Sequence, residues 1–222
     1  NQDQSPPMAL CCRLIRLHRE EFMQTEHTPD IYLASRSPRR RELLDQIGVR
    51  YAWVAADTEE TAKENEAPEV YVLRLALDKA RAGLKARESG LELPVLGADT
   101  IVVLDDELLG KPETEEQGVA MLLKLSGRTH KVLTALAMVD GEREATRLSV
   151  SHVTFRELSR EEAVRYWHTG EPWDKAGGYA IQGRAAVFIE RLEGSYSGVM
   201  GLPLFETAQL LEEFNVAYQR HW

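Results

Sequence analysis

From Ile31 onward, short apolar runs alternate with stretches whose apolar residues recur at helical spacing. Ile31-Tyr32-Leu33-Ala34 reads as a buried strand, and Glu42 to Gly48 as a helix closed by glycine, with Ser37 as its N-cap and Pro38 at its first position. Tyr51–Ala55 is a second short strand. Ala67–Arg87 predicts a long helix, since Val70, Leu73, Ala76, Ala80 and Leu84 fall on one side of it. Pro94–Leu104 is an apolar strand broken by Gly97-Ala98-Asp99-Thr100, and Glu107 to Pro112 returns beside it. Thr114–Leu125 predicts a helix, with Thr114 and Gln117 as a capping box and Gly127 beyond its end. Thr129–Val139 and Glu142–Glu157 alternate as strands around the hairpin signal Asp140-Gly141. Ser159 with Glu162 opens a helix that runs to about His168. Gly170–Gly183 reads as loop, Ala186–Leu192 and Tyr196–Met200 as a hairpin around Glu193-Gly194, and Leu204–Phe214 as a closing helix. The mixture predicts an α/β fold with a mixed sheet.

The first 30 residues stand apart. Asn1 to Pro7 is polar and disorder-prone, Ala9 to Phe22 has short-helix character, and Gln24–Asp30 reads as linker. The expected organisation is an N-terminal extension over residues 1–30 and one catalytic domain over 31–222. Composition is ordinary for a globular chain, at 43% hydrophobic and 28% charged residues. The net charge of −9 excludes the basic footprint of a general nucleic-acid binder. An acidic protein that binds an anion must therefore concentrate positive charge locally. Cys11 and Cys12 are adjacent and build no disulfide framework, which suits a reducing, cytoplasmic setting. No apolar run reaches the length of a membrane span.

Charge changes the picture at Ser35-Arg36-Ser37-Pro38-Arg39-Arg40-Arg41. Arginines in the first turn oppose the helix dipole, whose N-terminal end is already positive. The arrangement makes sense if an anion sits there, held by backbone N–H groups and guanidinium forks; three solvated arginines are the competing reading. Asp99 interrupts an apolar strand, which is costly unless it is paired or binds a metal. Lys111 projects from Gly110-Lys111-Pro112, and Lys79 lies mid-helix beside Asp78. Glu59 and Glu60 sit in an acidic stretch, and one of them paired with Asp99 suits a hard divalent cation such as Mg²⁺. Lys175 belongs to a loop rich in glycine and aromatics, followed by Gln182, whose amide offers donor and acceptor to a base edge. Phosphate-loop, dinucleotide-fold, serine-hydrolase and paired-histidine metalloprotease motifs are absent.

Six motifs in register resemble the Maf family of nucleoside triphosphate pyrophosphatases: Ser35 to Arg40, Gly97-Ala98-Asp99-Thr100, Gly110-Lys111-Pro112, Ser126-Gly127-Arg128-Thr129-His130, Asp174 to Gly183, and Gly201-Leu202-Pro203. The resemblance runs from about Ile31 to Phe214. It implies a mixed twisted sheet flanked by helices, with a cleft between two lobes, as in Maf and ITPase-like proteins. It implies hydrolysis of a nucleoside triphosphate between the α- and β-phosphates with a divalent metal, Mg²⁺ or Mn²⁺, by a homodimer. Position by position, Ser35, Arg39, Arg40, Lys79, Thr100, Lys111 and Gln182 match substrate-binding residues. Asp99 matches the catalytic carboxylate, and Glu60 with Asp99 the metal ligands. Pro38-Arg39-Arg40, Asp99-Thr100 and Ile181-Gln182-Gly183 resemble the dTTP/UTP branch, whereas Arg36 stands where a small residue is commoner. Arg41 is left as the solvated member of the cluster. A nucleotide-binding regulator of growth or division with little catalysis is the alternative function.

Overall fold

The computed structural model describes residues 28–87 and 91–222, with the side chain of His221 left aside. The expectations for residues 1–27 lie outside the described residues. The strands are β1 Ile31–Ala34, β2 Tyr51–Trp53, β3 Val95–Leu104, β4 Glu107–Leu109, β5 Thr129–Val139, β6 Glu144–Phe155 and β7 Ile189–Glu193. The helices are α1 Pro38–Gln46, α2 Pro68–Ala86, α3 Glu115–Leu125, α4 Arg160–Trp167, α5 Tyr196–Met200 and α6 Leu204–Glu213. One mixed sheet runs in the order β2-β1-β3-β5-β6-β7, with β4 added to β3. Strands β1, β2 and β3 are mutually parallel where they pair, and every other pairing is antiparallel. Among the described residues no helix is long and apolar enough to cross a membrane.

Strand β3 divides the molecule. On one edge β1 pairs with its first half, ending at Ala34 opposite Gly97. On the same edge β4 pairs with its second half, starting at Leu109 opposite Val102. Residues 98–101 lie between these pairings, while the other edge of β3 is covered continuously by β5 from Val95 to Val103. The sheet therefore forks at Asp99 and Thr100. The crossover from β1 and the return from β4 both leave the sheet beside that fork, the kind of crevice in which open α/β sheets bind ligands.

The period-two alternation of β3 sorts its side chains. Val95, Ile101 and Val103 join a core beneath α2 that includes Val72, Ala76 and Ala80. On the opposite face Leu96 and Ala98 enter a core with α1 and α6, while Val102 and Leu104 enter a separate core with α3 and α4. Two cores share one face of the sheet, and the cleft opens between them.

Several elements differ from their sequence expectation. Gly97 does not bend β3; a Cβ there would stand 2.4 Å from the Ala76 carbonyl oxygen and 2.6 Å from the Ala80 nitrogen, so the glycine lets α2 lie close on the strand. At α1, Ser37 holds the N-cap position without a side-chain cap; its own N–H donates to Ser35 Oγ instead. At α3, Thr114 accepts from Gln117 N–H, but the Gln117 side chain accepts from Glu113 N–H rather than completing a reciprocal box. The box at Ser159 and Glu162 is complete. The hairpin expected around Glu193-Gly194 does not form. Ile189–Glu193 pairs with β6, residues 184–188 form a 3-10 turn, and Tyr196–Met200 is a helix because Ser195 Oγ accepts from Gly198 N–H and starts it. The local cap outweighs strand propensity, and the long β6 supplies β7 with a partner.

Candidate functional site

All nine residues singled out as site residues from the sequence line one cleft of about 820 Å³ at the fork: Ser35, Arg39, Arg40, Glu60, Lys79, Asp99, Thr100, Lys111 and Gln182. Each is delivered by a different local device. Ser35, Arg39 and Arg40 come from the turn between β1 and the start of α1. Alternation on β3 points Asp99 toward α2 and Thr100 toward the opposite face. Lys79 reaches Asp99 because Gly97 admits α2 so closely. Lys111 follows β4, whose neighbour Gly110 accepts from Gly177 N–H at 3.0 Å and so ties the β4 end to the far wall. Gln182 is exposed at the end of the loop from residue 171, next to buried Ala180 and Ile181. Glu59, the other acid considered beside Glu60, does not line the cleft, and Arg41 is exposed outside it.

Arg40 is the most constrained side chain in the cleft. Its Nε donates to Gly201 O at 2.7 Å, one terminal nitrogen to Ser35 Oγ at 3.0 Å, and the other to Thr100 Oγ1 at 3.2 Å. All three acceptors are neutral, and among the described residues no acid lies within salt-bridge distance of it. Burial accordingly lowers the pKa of its guanidinium, with Asp99 pulling the other way. Arg39 approaches Asp174 at 3.6 Å, a partner the sequence did not suggest. Lys175, a candidate from its loop, points instead to Glu171 O and Asp174.

On the other side of β3, Lys79 Nζ stands 2.6 Å from Asp99 Oδ1 and 2.6 Å from Glu60 Oε1. The acidic segment is fastened to α2 for this purpose. Tyr71 donates its hydroxyl to Glu60 O at 2.7 Å, and Arg74 donates to Thr61 O while chelating Glu66. Burial pushes the Glu60 carboxyl up, but the Lys79 hydrogen bond and the charges of Lys79, Lys111 and Arg40 outweigh it and leave Glu60 below the ordinary carboxylate value. Glu60 is thus ionised at neutral pH.

Glu60 and Asp99 bring two carboxylates, hard oxygen donors, to this side of the cleft. Glu60 Oε1 and Asp99 Oδ1 converge on the Lys79 ammonium, and the described residues contain no group of three or more His, Cys, Asp or Glu able to hold a metal. A pair of carboxylates beside basic side chains is the composition that leaves Mg²⁺ or Mn²⁺ to complete its shell with water and phosphate oxygens.

The loop bearing Gln182 is shaped from below. Glu171 accepts from Tyr166 Oη at 2.6 Å, Arg184 N–H at 3.0 Å and Ala185 N–H at 3.4 Å, closing the loop on itself. Tyr179 packs edge-on against Phe155 and meets His130 Nε2 at 2.8 Å. Burial lowers the His130 pKa to about 4, so the ring is neutral, and its Nδ1 is buried with no partner. Tyr71 and Glu171 were not found from sequence; each is a single polar residue whose role depends on how the chain folds back on it.

Residues 30–214 match the Maf-like protein family. The chain is 69% identical over 203 residues to a dTTP/UTP pyrophosphatase of Alkalilimnicola ehrlichii, covering 90% of this chain and all of the relative. Proteins of the same description from Saccharophagus degradans (57% identity, 86% and 91% coverage) and Aromatoleum aromaticum (56%, 83% and 95%) are also similar. Among solved structures, the Staphylococcus aureus Ham1 protein aligns over 59% of this chain and 72% of its own, at 18% identity and a TM-score of 0.37.

Proposed function

The chain belongs to the Maf-like protein family, and on that premise we propose that it is a nucleoside triphosphate pyrophosphatase hydrolysing dTTP and UTP to the monophosphate and pyrophosphate. The observation that carries the reading is Arg40: a half-buried guanidinium facing the cleft, with three neutral acceptors and, among the described residues, no acid within salt-bridge distance. Asp99 and Glu60 offset its charge only from a distance, and a triphosphate arriving at the turn pairs with it directly. Arg39 and Lys111 extend the positive wall along the same cleft. Ser35 Oγ already accepts from Arg40 and from Ser37 N–H, so its own proton is left for a phosphate oxygen.

The reaction breaks the bridging P–O bond between the α- and β-phosphates and makes one P–O bond to water. Catalysis of such a transfer is chiefly positioning and neutralisation of charge spread over phosphate oxygens. Asp99, at the fork, holds the attacking water by accepting its hydrogen bond, while Lys79 fixes the carboxylate through Oδ1. The departing pyrophosphate leaves along the arginine and lysine wall, whose charges stabilise it. Glu60 and Asp99 would hold the divalent cation, which when bound supplies further charge neutralisation and a more acidic water. Gln182, exposed at the far wall, reads the base through its amide, whose donor and acceptor suit the imide edge shared by thymine and uracil.

The test is Asp99→Asn. It is nearly isosteric and keeps a hydrogen-bonding oxygen for Lys79, so the fold is retained by circular dichroism while pyrophosphate release falls about 10²-fold or more. Full turnover in that variant would remove Asp99 from the reaction.

A further inference from the structure

A row of polar side chains crosses the sheet where hydrophobic residues are expected. Thr100 on β3 is in register with Thr134 on β5, and Thr134 with Ser149 on β6. Thr134 is 1% exposed and Ser149 6%. The row lies between the two cores that share this face: Leu96, Ala98 and Leu136 belong to one, Val102 and Val132 to the other. A buried polar row in such a place needs partners, and the identity of those partners fixes the direction of every proton.

Gly198 O can only accept, so Thr134 Oγ1, at 2.7 Å, donates to it. That uses the one hydroxyl proton of Thr134. At the 2.9 Å contact between the two threonines, Thr100 must therefore be the donor. With its proton turned toward Thr134, Thr100 Oγ1 presents lone pairs outward, and Arg40 donates to it at 3.2 Å. The relay runs Arg40 to Thr100 to Thr134 to Gly198 O. The Gly201 carbonyl that receives Arg40 Nε at 2.7 Å lies three residues beyond Gly198, at the end of the same short helix α5. The guanidinium is thus gripped from two sides by one structural unit, with Ser35 as the third point.

We propose that Thr134, which lines no part of the cleft, is a positioning residue for the pyrophosphatase reaction, acting through Thr100 to hold Arg40 in its phosphate-binding orientation. The inference rests on the functional reading given above. Without the Thr134 hydroxyl, Thr100 has no fixed acceptor, its proton can turn toward Arg40, and a guanidinium that can only donate loses its partner. Thr100 is then a supporting group for Arg40 rather than a proton donor to substrate.

The experiment compares Thr134→Val, which keeps volume and removes the hydroxyl, with Thr134→Ser, which keeps the hydroxyl. Catalytic efficiency on dTTP and the dissociation constant of inorganic pyrophosphate are measured for each, alone and in an Arg40→Ala background. Thr134→Val is expected to lower kcat/KM about tenfold and to weaken pyrophosphate binding by a similar factor, the scale of one hydrogen bond to a charged group. Thr134→Ser is expected to stay within about twofold of wild type on both readouts, the residual being lost packing. In the Arg40→Ala background Thr134→Val should add nothing, because its effect passes through the missing guanidinium. Thr134→Ala serves if the valine variant does not fold. Undiminished pyrophosphate binding in the valine or alanine variant, or a loss that adds fully to that of Arg40→Ala, overturns the inference alone. A wild-type protein that neither binds pyrophosphate nor releases it from dTTP overturns the functional reading and the inference with it.

Discussion

Arg40 shows how a residue's chemistry is set by what surrounds it. Its fork bonds two carbonyl or hydroxyl positions on opposite sides and a third at the turn, so planarity matters as well as charge. Arg40→Lys retains the charge and loses the fork; kcat/KM for dTTP is expected to fall about 10²-fold, the scale of a removed oxyanion donor, in steady-state assays. A value near wild type would mean that charge alone suffices. His130 carries a different signature. Its pKa is lowered from 6.5 to about 4 by burial. Above pH 6.5 the ring is neutral whether folded or unfolded, so it adds no pH dependence to stability. Between 6.5 and 4 the unfolded chain takes up a proton that the folded ring refuses, so stability falls as pH falls and levels off below about 4. The integrated loss is about 3 kcal/mol. Thermal midpoints measured across that window should drop less steeply in His130→Gln than in wild type, and parallel curves would refute the assignment.

At the scale of elements, what the sequence made legible was what depends on near neighbours. Helix α2 follows from its apolar spacing, though its buried face is Val72, Leu75, Ala76, Ala80 and Gly83 and Val70 is exposed; α4 follows from the Ser159–Glu162 box, and the β5–β6 hairpin from Asp140-Gly141. The β7 strand was expected within Ala186–Leu192, but its partner was not, because β6 lies about forty residues earlier and pairing at that distance leaves no mark on local pattern. Gly97 was read as part of a break in the strand because glycine there signals either a bend or a close approach, and only the position of α2 decides between them. The candidate site was largely legible because its residues are charged and odd in their settings: an aspartate in an apolar strand, arginines at a helix start. Thr134 was not, because one threonine in an apolar strand is ordinary until its register with Thr100 is known. The glycine gives a direct test. Gly97→Ala places a methyl carbon against the backbone of α2, which cannot rotate away. It should cost about 2–3 kcal/mol in chemical denaturation and impair turnover as well, since α2 carries Lys79. Wild-type stability would show that α2 has room to move.

For the whole molecule, the organising feature is the fork in the sheet. Two cores on one face of β3 leave a polar seam between them, and a third core beneath α2 presents Lys79 to the other face. The single strand β3 therefore supplies Asp99 to one side and Thr100 to the other, and the cleft gathers a positive wall and an acidic pair across it. That separation matches a substrate with several phosphates and a bond to be cut between two of them. The most direct measurement is phosphorus NMR of the products formed by the purified protein from dTTP, UTP and 7-methyl-GTP with Mn²⁺. Monophosphate and pyrophosphate are expected from dTTP and UTP, with much slower turnover of 7-methyl-GTP, whose purine offers no imide edge to the Gln182 amide. Nucleoside diphosphate with orthophosphate, or a preference for 7-methyl-GTP, would contradict the proposed function.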